Sequence, residues 1–454
     1  MVCARGRAAG NCPAVWGPRP RQVPPMNAFD TLKARGFFYQ LTDEPAIRDR
    51  LFAARVTFYV GFDPTADSLH VGHLLPVMAM RFLQQGGHRP IAIVGGGTAM
   101  VGDPSGKTEA RQILTREQIA ANAAGLKRQL SRFLRFDSGD GALLLDNADW
   151  LMKLGYIEFL RDVGVHFSVN QMLAAESVKL RLAQEQGLSF LEFNYMLLQA
   201  YDFYVLARDH QCELQLGGQD QWGNIVAGTG LVRRLLGRPG FGGTFPLLTN
   251  SAGAKFGKSV AGAVWLDAAR TPVFDYYQFW RNVEDTDVGR LLLLFTALPV
   301  EECQRLGALP APAINRAKEV LAFEATTLAH GEAAAAEAFL AAGRQFGFAD
   351  AGGVIATTSA ITDVKADTAA ALPTVTLAPA DLAGEGVGVC KLLVQTGMAA
   401  SNGAARRLVE GGGVYVNDAR VSDLNLKLTA AAFRDGALLL RTGKKTIKRV
   451  VLAN

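Results

Sequence analysis

Two short β-rich runs, residues 57–61 and 91–94, enclose a stretch in which Leu75, Met78, Ala79 and Phe82 fall on one helical face. Strand, loop, helix and strand at this separation make a βαβ unit, and a βαβ unit needs a parallel sheet covered on its faces. A third run alternates Cys212, Leu214 and Leu216 with Glu213 and Gln215 and ends at Gly217-Gly218. The expected fold class is therefore α/β, an open parallel sheet whose ligands lie beyond the carboxyl ends of its strands.

The chain of 454 residues is too long for one ordinary domain. Beyond about residue 271 helix formers dominate, with Leu291, Val320, Phe323 and Leu328 as candidate core positions and an Ala-rich stretch behind them. Residues 271–349 are expected to form an α-helical domain, 350–386 a linker poor in periodicity, and 387–454 a small α+β module. That module holds two short amphipathic helices (391–396, 404–410) and β-type segments at 414–417 and 437–441. Residues 1–25 carry Arg5, Arg7, Arg19 and Arg21, no acid and several prolines, which predicts a disordered extension ahead of a catalytic domain at 26–270.

Charge separates the parts. The net is only +5, yet from residue 387 onward eleven Lys/Arg face four Asp/Glu. A mildly acidic body with a basic terminal module predicts a nucleic-acid partner for that module. Five scattered cysteines without close pairs argue against a disulfide framework or a zinc site, so no metal centre and a reducing compartment are expected. No apolar run is long enough to span a bilayer. A cytoplasmic location follows, or a mitochondrial one if residues 1–25 are a transit peptide.

The chemistry concentrates in three places. Asp63-Pro64-Thr65 leads to His70-Val71-Gly72-His73 between a strand and a helix. A helix N-terminus attracts phosphate oxygens, Gly72 allows close approach, and Thr65, His70 and His73 add side-chain donors. Lys255-Phe256-Gly257-Lys258-Ser259 places two lysines on a small Gly-bearing loop able to neutralise a pyrophosphate. The third place is a mostly apolar segment, 190–206, read as one helix. Tyr195, Gln199 and Asp202 share a face there and either close an internal network or line a pocket. In a pocket, Asp202 could accept a phenol proton and Gln199 could meet an ammonium group. Gly102-Asp103-Pro104-Ser105-Gly106-Lys107-Thr108 imitates a P-loop but has three residues between its glycines where four are required.

His-Val-Gly-His and Lys-Phe-Gly-Lys-Ser together resemble the two signatures of class I aminoacyl-tRNA synthetases. Tyr59-Val60-Gly61-Phe62-Asp63-Pro64-Thr65, Gly102-Asp103-Pro104-Ser105, Leu198-Gln199-Ala200-Tyr201-Asp202 and Asp220-Gln221-Trp222-Gly223-Asn224 narrow that to bacterial-type tyrosyl-tRNA synthetases. The resemblance runs in order from about Met26 to the C-terminus. It implies a Rossmann-like catalytic domain, tyrosine, ATP and transfer RNA as partners, and a homodimer. It further implies that Tyr59 and Asp202 grip the substrate hydroxyl, that Asp103, Tyr195 and Gln199 hold its ammonium, and that Gln221 lies near its carboxylate. Gln215 would support these groups, and Asp220 and Asp63 would serve the adenosine. Thr65, His70, His73, Lys107, Arg111, Lys255 and Lys258 would serve the phosphates and ribose. Gln219 departs from the Ser common in the family and puts the local ribose geometry in doubt. The terminal block, with Arg406-Arg407 and Val414-Tyr415-Val416-Asn417, resembles a small RNA-binding module. No tightly bound cofactor is expected, Mg-ATP being a substrate. A tryptophanyl relative, a nucleotidylyltransferase and an RNA-binding protein with a retired core are the competing readings. The pairing of Tyr59 with Asp202, the helical block and the intact signatures disfavour them.

Overall fold

The computed structural model describes residues 27–103, 115–136, 141–183, 188–249, 251, 253, 256–259, 262–364, 374–378, 382, 386–417, 419–433, 437–443 and 446–452. Six strands build the first sheet: β1 (Gln40–Leu41), β2 (Thr57–Phe62), β3 (Arg89–Val94), β4 (Leu143–Asp146), β5 (Cys212–Gly218) and β6 (Phe241–Phe245). Their spatial order is β1-β6-β5-β2-β3-β4. From β2 the chain moves outward through β3 to β4, then returns to the other side of β2 with β5. The order therefore reverses between β2 and β5, and a crevice opens at the carboxyl ends of those two strands.

Four of the six residues of β2 and five of the six of β3 are buried, because both faces of the sheet are covered. Helix α1 (Leu74–Gln85) lies between β2 and β3 in sequence and buries Leu75, Met78, Ala79 and Phe82, the four positions that define its apolar face. The sheet departs from the all-parallel expectation at one edge, where β1 pairs antiparallel with β6. A two-residue strand has no periodicity to read, and an antiparallel partner on a parallel sheet's edge is common.

The segment expected as one helix over 190–206 is two. Ser189 and Glu192 close a capping box around a short helix, Phe190–Phe193, and α3 (Tyr195–His210) starts afresh after Asn194. Helix α2 (Arg116–Leu130) precedes these, and α4 (Trp222–Leu236) packs along α3.

The helical block consists of α5 (Val273–Arg281), α6 (Val288–Phe295), α7 (Val300–Gly307), α8 (Ile314–His330) and α9 (Glu332–Phe346). Its buried side chains belong to the same continuous core as those of β2, β5 and α1. Arg35 fastens the join: its guanidinium donates to the carbonyls of Leu293, Thr296 and Leu298 at the end of α6. Within the stretch expected to link the parts, Glu302 accepts from Thr357 and Thr358, Glu324 accepts from Ser359, and Ile361 is buried.

The terminal module has its own core, built on Val389, Leu392, Leu393, Ala405, Val409, Leu438, Leu440 and Val450 among others. Helices α10 (Val389–Gln395) and α11 (Asn402–Glu410) cover a sheet that includes β7 (Thr374–Leu377), β8 (Val414–Val416), β9 (Ala437–Thr442) and β10 (Thr446–Leu452). Strand β7 comes from the expected linker and pairs parallel with β10.

Candidate active site

Parallel pairing of β2 with β5 sets Tyr59 opposite Gln215 at the reversal of strand order. Both are buried, and neither the Tyr59 hydroxyl nor Gln215 Oε1 has a hydrogen-bond partner among the described residues. A buried hydroxyl left unsatisfied costs about 1–3 kcal/mol, so the Tyr59 hydroxyl, on a strand that borders the crevice, is a candidate contact for a polar ligand. Burial, reinforced by the nearby Asp202 charge, pushes the Tyr59 phenol well above its usual range and keeps it a neutral donor.

Asp202, on α3, is fixed from the far side. Trp150 Nε1 donates to Oδ1 at 2.7 Å and Asn147 Nδ2 donates to Oδ2 at 3.0 Å. Asn147 is itself held, accepting from Gly97 N at 2.8 Å and donating to Thr98 Oγ1 at 3.0 Å. Desolvation outweighs these donors and raises the Asp202 carboxyl to about 7.

A second polar network lies along α3 and the start of α4. Gln221 Nε2 donates to Asp103 Oδ2 at 2.8 Å and to Asp220 Oδ2 at 3.1 Å. Asn224 Nδ2 bridges Gln221 Oε1 and Gln199 Oε1 at 3.2 and 3.1 Å. Asp103, Gln199, Asp220 and Gln221 thus form one constellation, and Tyr195 is buried at the start of the same helix as Gln199. Gln219 is exposed, and its neighbour Asp220 stays engaged with Gln221.

The His-Val-Gly-His turn folds on itself. His70 Nδ1 accepts from Gly72 N at 3.0 Å, His73 Nδ1 accepts from His70 N at 3.2 Å, and the two rings lie 3.9 Å apart. An Nδ1 that accepts is unprotonated, so each neutral imidazole carries its proton on Nε2 as a donor. Helix α2 braces the approach to this turn. Asn122 donates to Pro64 O, Gln129 accepts from Leu69 N at 2.7 Å and donates to Ser68 Oγ, and Gly125 lets the helix backbone press on Asp67. Asp63 stands close to Gly95 at the end of β3, where a Cβ would lie 3.2 Å from its Oδ1. Thr65 is exposed, its N–H donating to Asp63 O.

The second signature returns to the first through backbone. Val71 N donates to Val264 O, Leu266 N to Leu69 O, and Val264 N to Gly257 O. Gly257, at φ 93°, faces Gly72: a Cβ there would lie 3.0 Å from Gly72 N. Lys258 and Ser259 form a two-residue strand against Gly262–Ala263. Lys107, Arg111 and Lys255, together with the side chain of Lys258, lie outside the described residues. Among those described, no group of three or more His, Cys, Asp or Glu is placed to hold a metal ion, and no helix is long and apolar enough to cross a membrane.

Sequence reasoning missed Asn147, Trp150 and Gln129, and quoted Asn224 within a motif without giving it a role. Asp146 and Asn147 follow an apolar triplet, Leu143-Leu144-Leu145, which is the local hint that Asn147 stands at a strand's carboxyl end. Asn224 lies three positions after Gln221, on the same helical face.

Known proteins resemble this chain over most of its length. The family described as tRNA synthetases class I (W and Y) matches residues 53–347, and the C-terminal domain of tyrosine–tRNA ligases matches 366–450. The tyrosine–tRNA ligase of Desulfosudis oleivorans is 52% identical over 431 residues, covering 94% of this chain and 99% of the relative. That of Gluconobacter oxydans is 53% identical over 416 residues, 91% of this chain and 96% of its own. Among solved structures, a C-terminally truncated mitochondrial tyrosyl-tRNA synthetase from Aspergillus nidulans superposes with a TM-score of 0.63 at 31% identity, over 69% of this chain and 93% of that one.

Proposed function

This chain belongs to the tyrosine–tRNA ligases, class I aminoacyl-tRNA synthetases, and from that premise we propose how its residues divide the reaction. It activates tyrosine with ATP and transfers the tyrosyl group to transfer RNA. In the first step a tyrosine carboxylate oxygen bonds to the α-phosphorus while the bond to pyrophosphate breaks. The carboxylate is already ionised near neutral pH, so no general base is required, and placement with charge stabilisation must lower the barrier. In the second step a terminal adenosine hydroxyl attacks the activated carbonyl and AMP leaves.

Tyr59 and Asp202 recognise the substrate phenol. The observation that carries this reading is the buried Tyr59 hydroxyl, without a partner among the described residues, near a carboxylate whose other contacts already fix it. Gln199, Asp103 and Tyr195 take the ammonium end, Gln221 the carboxylate, and Gln215 steadies the polar cluster between them. Asp220 takes the ribose, and Asp63 helps on the adenosine side. Thr65, His70, His73, Lys107, Arg111, Lys255 and Lys258 act on phosphates and ribose, the two His rings through their Nε2 protons.

ATP–pyrophosphate exchange with tyrosine and with phenylalanine tests the pocket. Tyr59→Phe loses one hydrogen bond between neutral groups, worth about 0.5–1.5 kcal/mol, and should weaken selection for tyrosine modestly. Asp202→Ala removes the charged acceptor and should weaken it more. Unaltered tyrosine/phenylalanine selectivity in both variants would remove the assignment.

The functional division follows the same lines: a catalytic part at 26–270, a helical part to 349 that approaches the anticodon side, a connection over 350–386, and a basic module that grips transfer RNA. Lys391, Arg406, Arg407, Arg420 and Lys427 are exposed on that module, which supports the last assignment. The working form is a cytoplasmic homodimer. Tyr156, Ile157, Val165, Val169, Phe190 and Leu191 are each at least half exposed in the stretch between β4 and α3, a concentration that suits pairing with a second copy. Sedimentation at the mass of one chain would contradict it.

A further inference from the structure

Phe256 is an aromatic residue between two lysines, and its ring does not face the site. It packs into the helical block, with centroids 5.1 Å from Phe279, 5.6 Å from Trp280 and 6.4 Å from Phe295. Trp280 and Phe295 are buried in the continuous core, so this socket is rigid. The Phe256 N–H is held as well, donating to Leu248 O at 2.9 Å. One residue on, the chain reverses character: Gly257 presses its backbone against Val71 and Gly72 of the first signature. One peptide thus connects an anchor in the helices to a contact with the phosphate-binding turn. Lys255 and Lys258 are one and two residues away in the chain, so what fixes position 256 constrains the backbone on which both stand.

We propose that Phe256 is a positioning residue for adenylate formation: it latches the backbone of the lysine signature at residues 256–257 to α5 and α6, so that packing of the helical block governs the activation step. The proposal rests on the reading that Lys255 and Lys258 act on the phosphates. It assigns to Phe256 an effect on the activation step and none on tyrosine binding, because Tyr59, Gln199 and Asp202 belong to β2 and α3.

Single-turnover tyrosyl-adenylate formation, equilibrium tyrosine binding and thermal melting are measured on the full chain and on Phe256→Ala, Phe256→Leu, Phe279→Ala, the Phe256/Phe279 double alanine variant and Lys258→Ala. Phe256→Ala should lower the activation rate about 10- to 100-fold, the scale on which sub-ångström to ångström misplacement acts, while tyrosine binds as before. Phe256→Leu should recover most of the rate, since it refills the socket. Phe279→Ala should act in the same direction, and the double variant should lose less than the product of the two. A normal rate in Phe256→Ala alongside an impaired Lys258→Ala overturns the latch and leaves the lysine reading standing. So does a loss of melting temperature with rate and binding falling together and no rescue by leucine, because that is the behaviour of a core plug. A normal rate in Lys258→Ala removes the lysine reading, and the latch with it.

Discussion

Asp202 carries an acid–base consequence that a surface carboxylate would not. An unfolded aspartate releases its proton near 4, whereas burial holds the Asp202 proton to about 7. Between those values the folded chain binds more protons than the unfolded one, so stability falls as pH rises and levels off above about 7. Each tenfold change in proton affinity is worth roughly 1.4 kcal/mol, which makes the effect of the order of a few kcal/mol. Asp202→Asn cannot ionise and should lose this component. The melting-temperature gap between the tyrosine-free parent and the variant should therefore shift steadily in the variant's favour from pH 5 to 7, then stay constant. Parallel curves would show that Asp202 titrates normally. The importance of Asp202 is legible in the sequence, because a carboxylate on an apolar helix needs a reason to be there. Its holders are not: Asn147 and Trp150 are 55 and 52 positions away, and only the return of α3 past the end of β4 makes them neighbours.

At the scale of elements, α2 supports a site to which it contributes no motif. Gln129 is buried and satisfies Leu69 N and Ser68 Oγ at once, immediately before the first signature. Gln129→Leu keeps the volume but strands the Leu69 donor, at a cost of about 1–3 kcal/mol. The expected outcome is a lower melting temperature together with slower adenylate formation. Tyrosine affinity should be unchanged, since the proposed phenol contacts, Tyr59 and Asp202, lie on other elements. If melting falls and the activation rate stays at the parent value, α2 is scaffold only. The strongly periodic elements could be read directly: β2, β3 and β5 stand where their apolar patterns place them, within a residue or two, and α1 buries the four positions read as its apolar face. What periodicity cannot show is interruption and edge pairing. The mostly apolar stretch breaks at Asn194, which ends Phe190–Phe193 and precedes α3, and β1 is specified by its partner β6, with no pattern of its own.

For the whole molecule, composition marks a low-periodicity stretch at 350–386, and packing shows where within it the chain is tied down. Ile355, Ala360, Ile361 and Val364 join the core of the helical block, with Ser359 held by Glu324 and Thr357 and Thr358 by Glu302. Thr374–Leu377 instead belongs to the terminal sheet as the parallel neighbour of Thr446–Leu452. A cut placed by composition near residue 384 would leave β7 on the wrong side, as an unpaired strand open to association. A cut after Val364 keeps the docked strap and removes the module with its complete sheet. The shortened chain should therefore retain ATP–pyrophosphate exchange at the full-length rate, because every element that frames Tyr59, Asp202, His70 and Gly257 remains. Aminoacylation should fall at low RNA concentration, since the basic module and its eleven Lys/Arg from residue 387 onward are gone. Contacts to phosphates release counterions, so residual RNA binding by the shortened chain should also vary less steeply with salt. Equal charging of transfer RNA by the two chains at every RNA and salt concentration would show that the module serves another purpose.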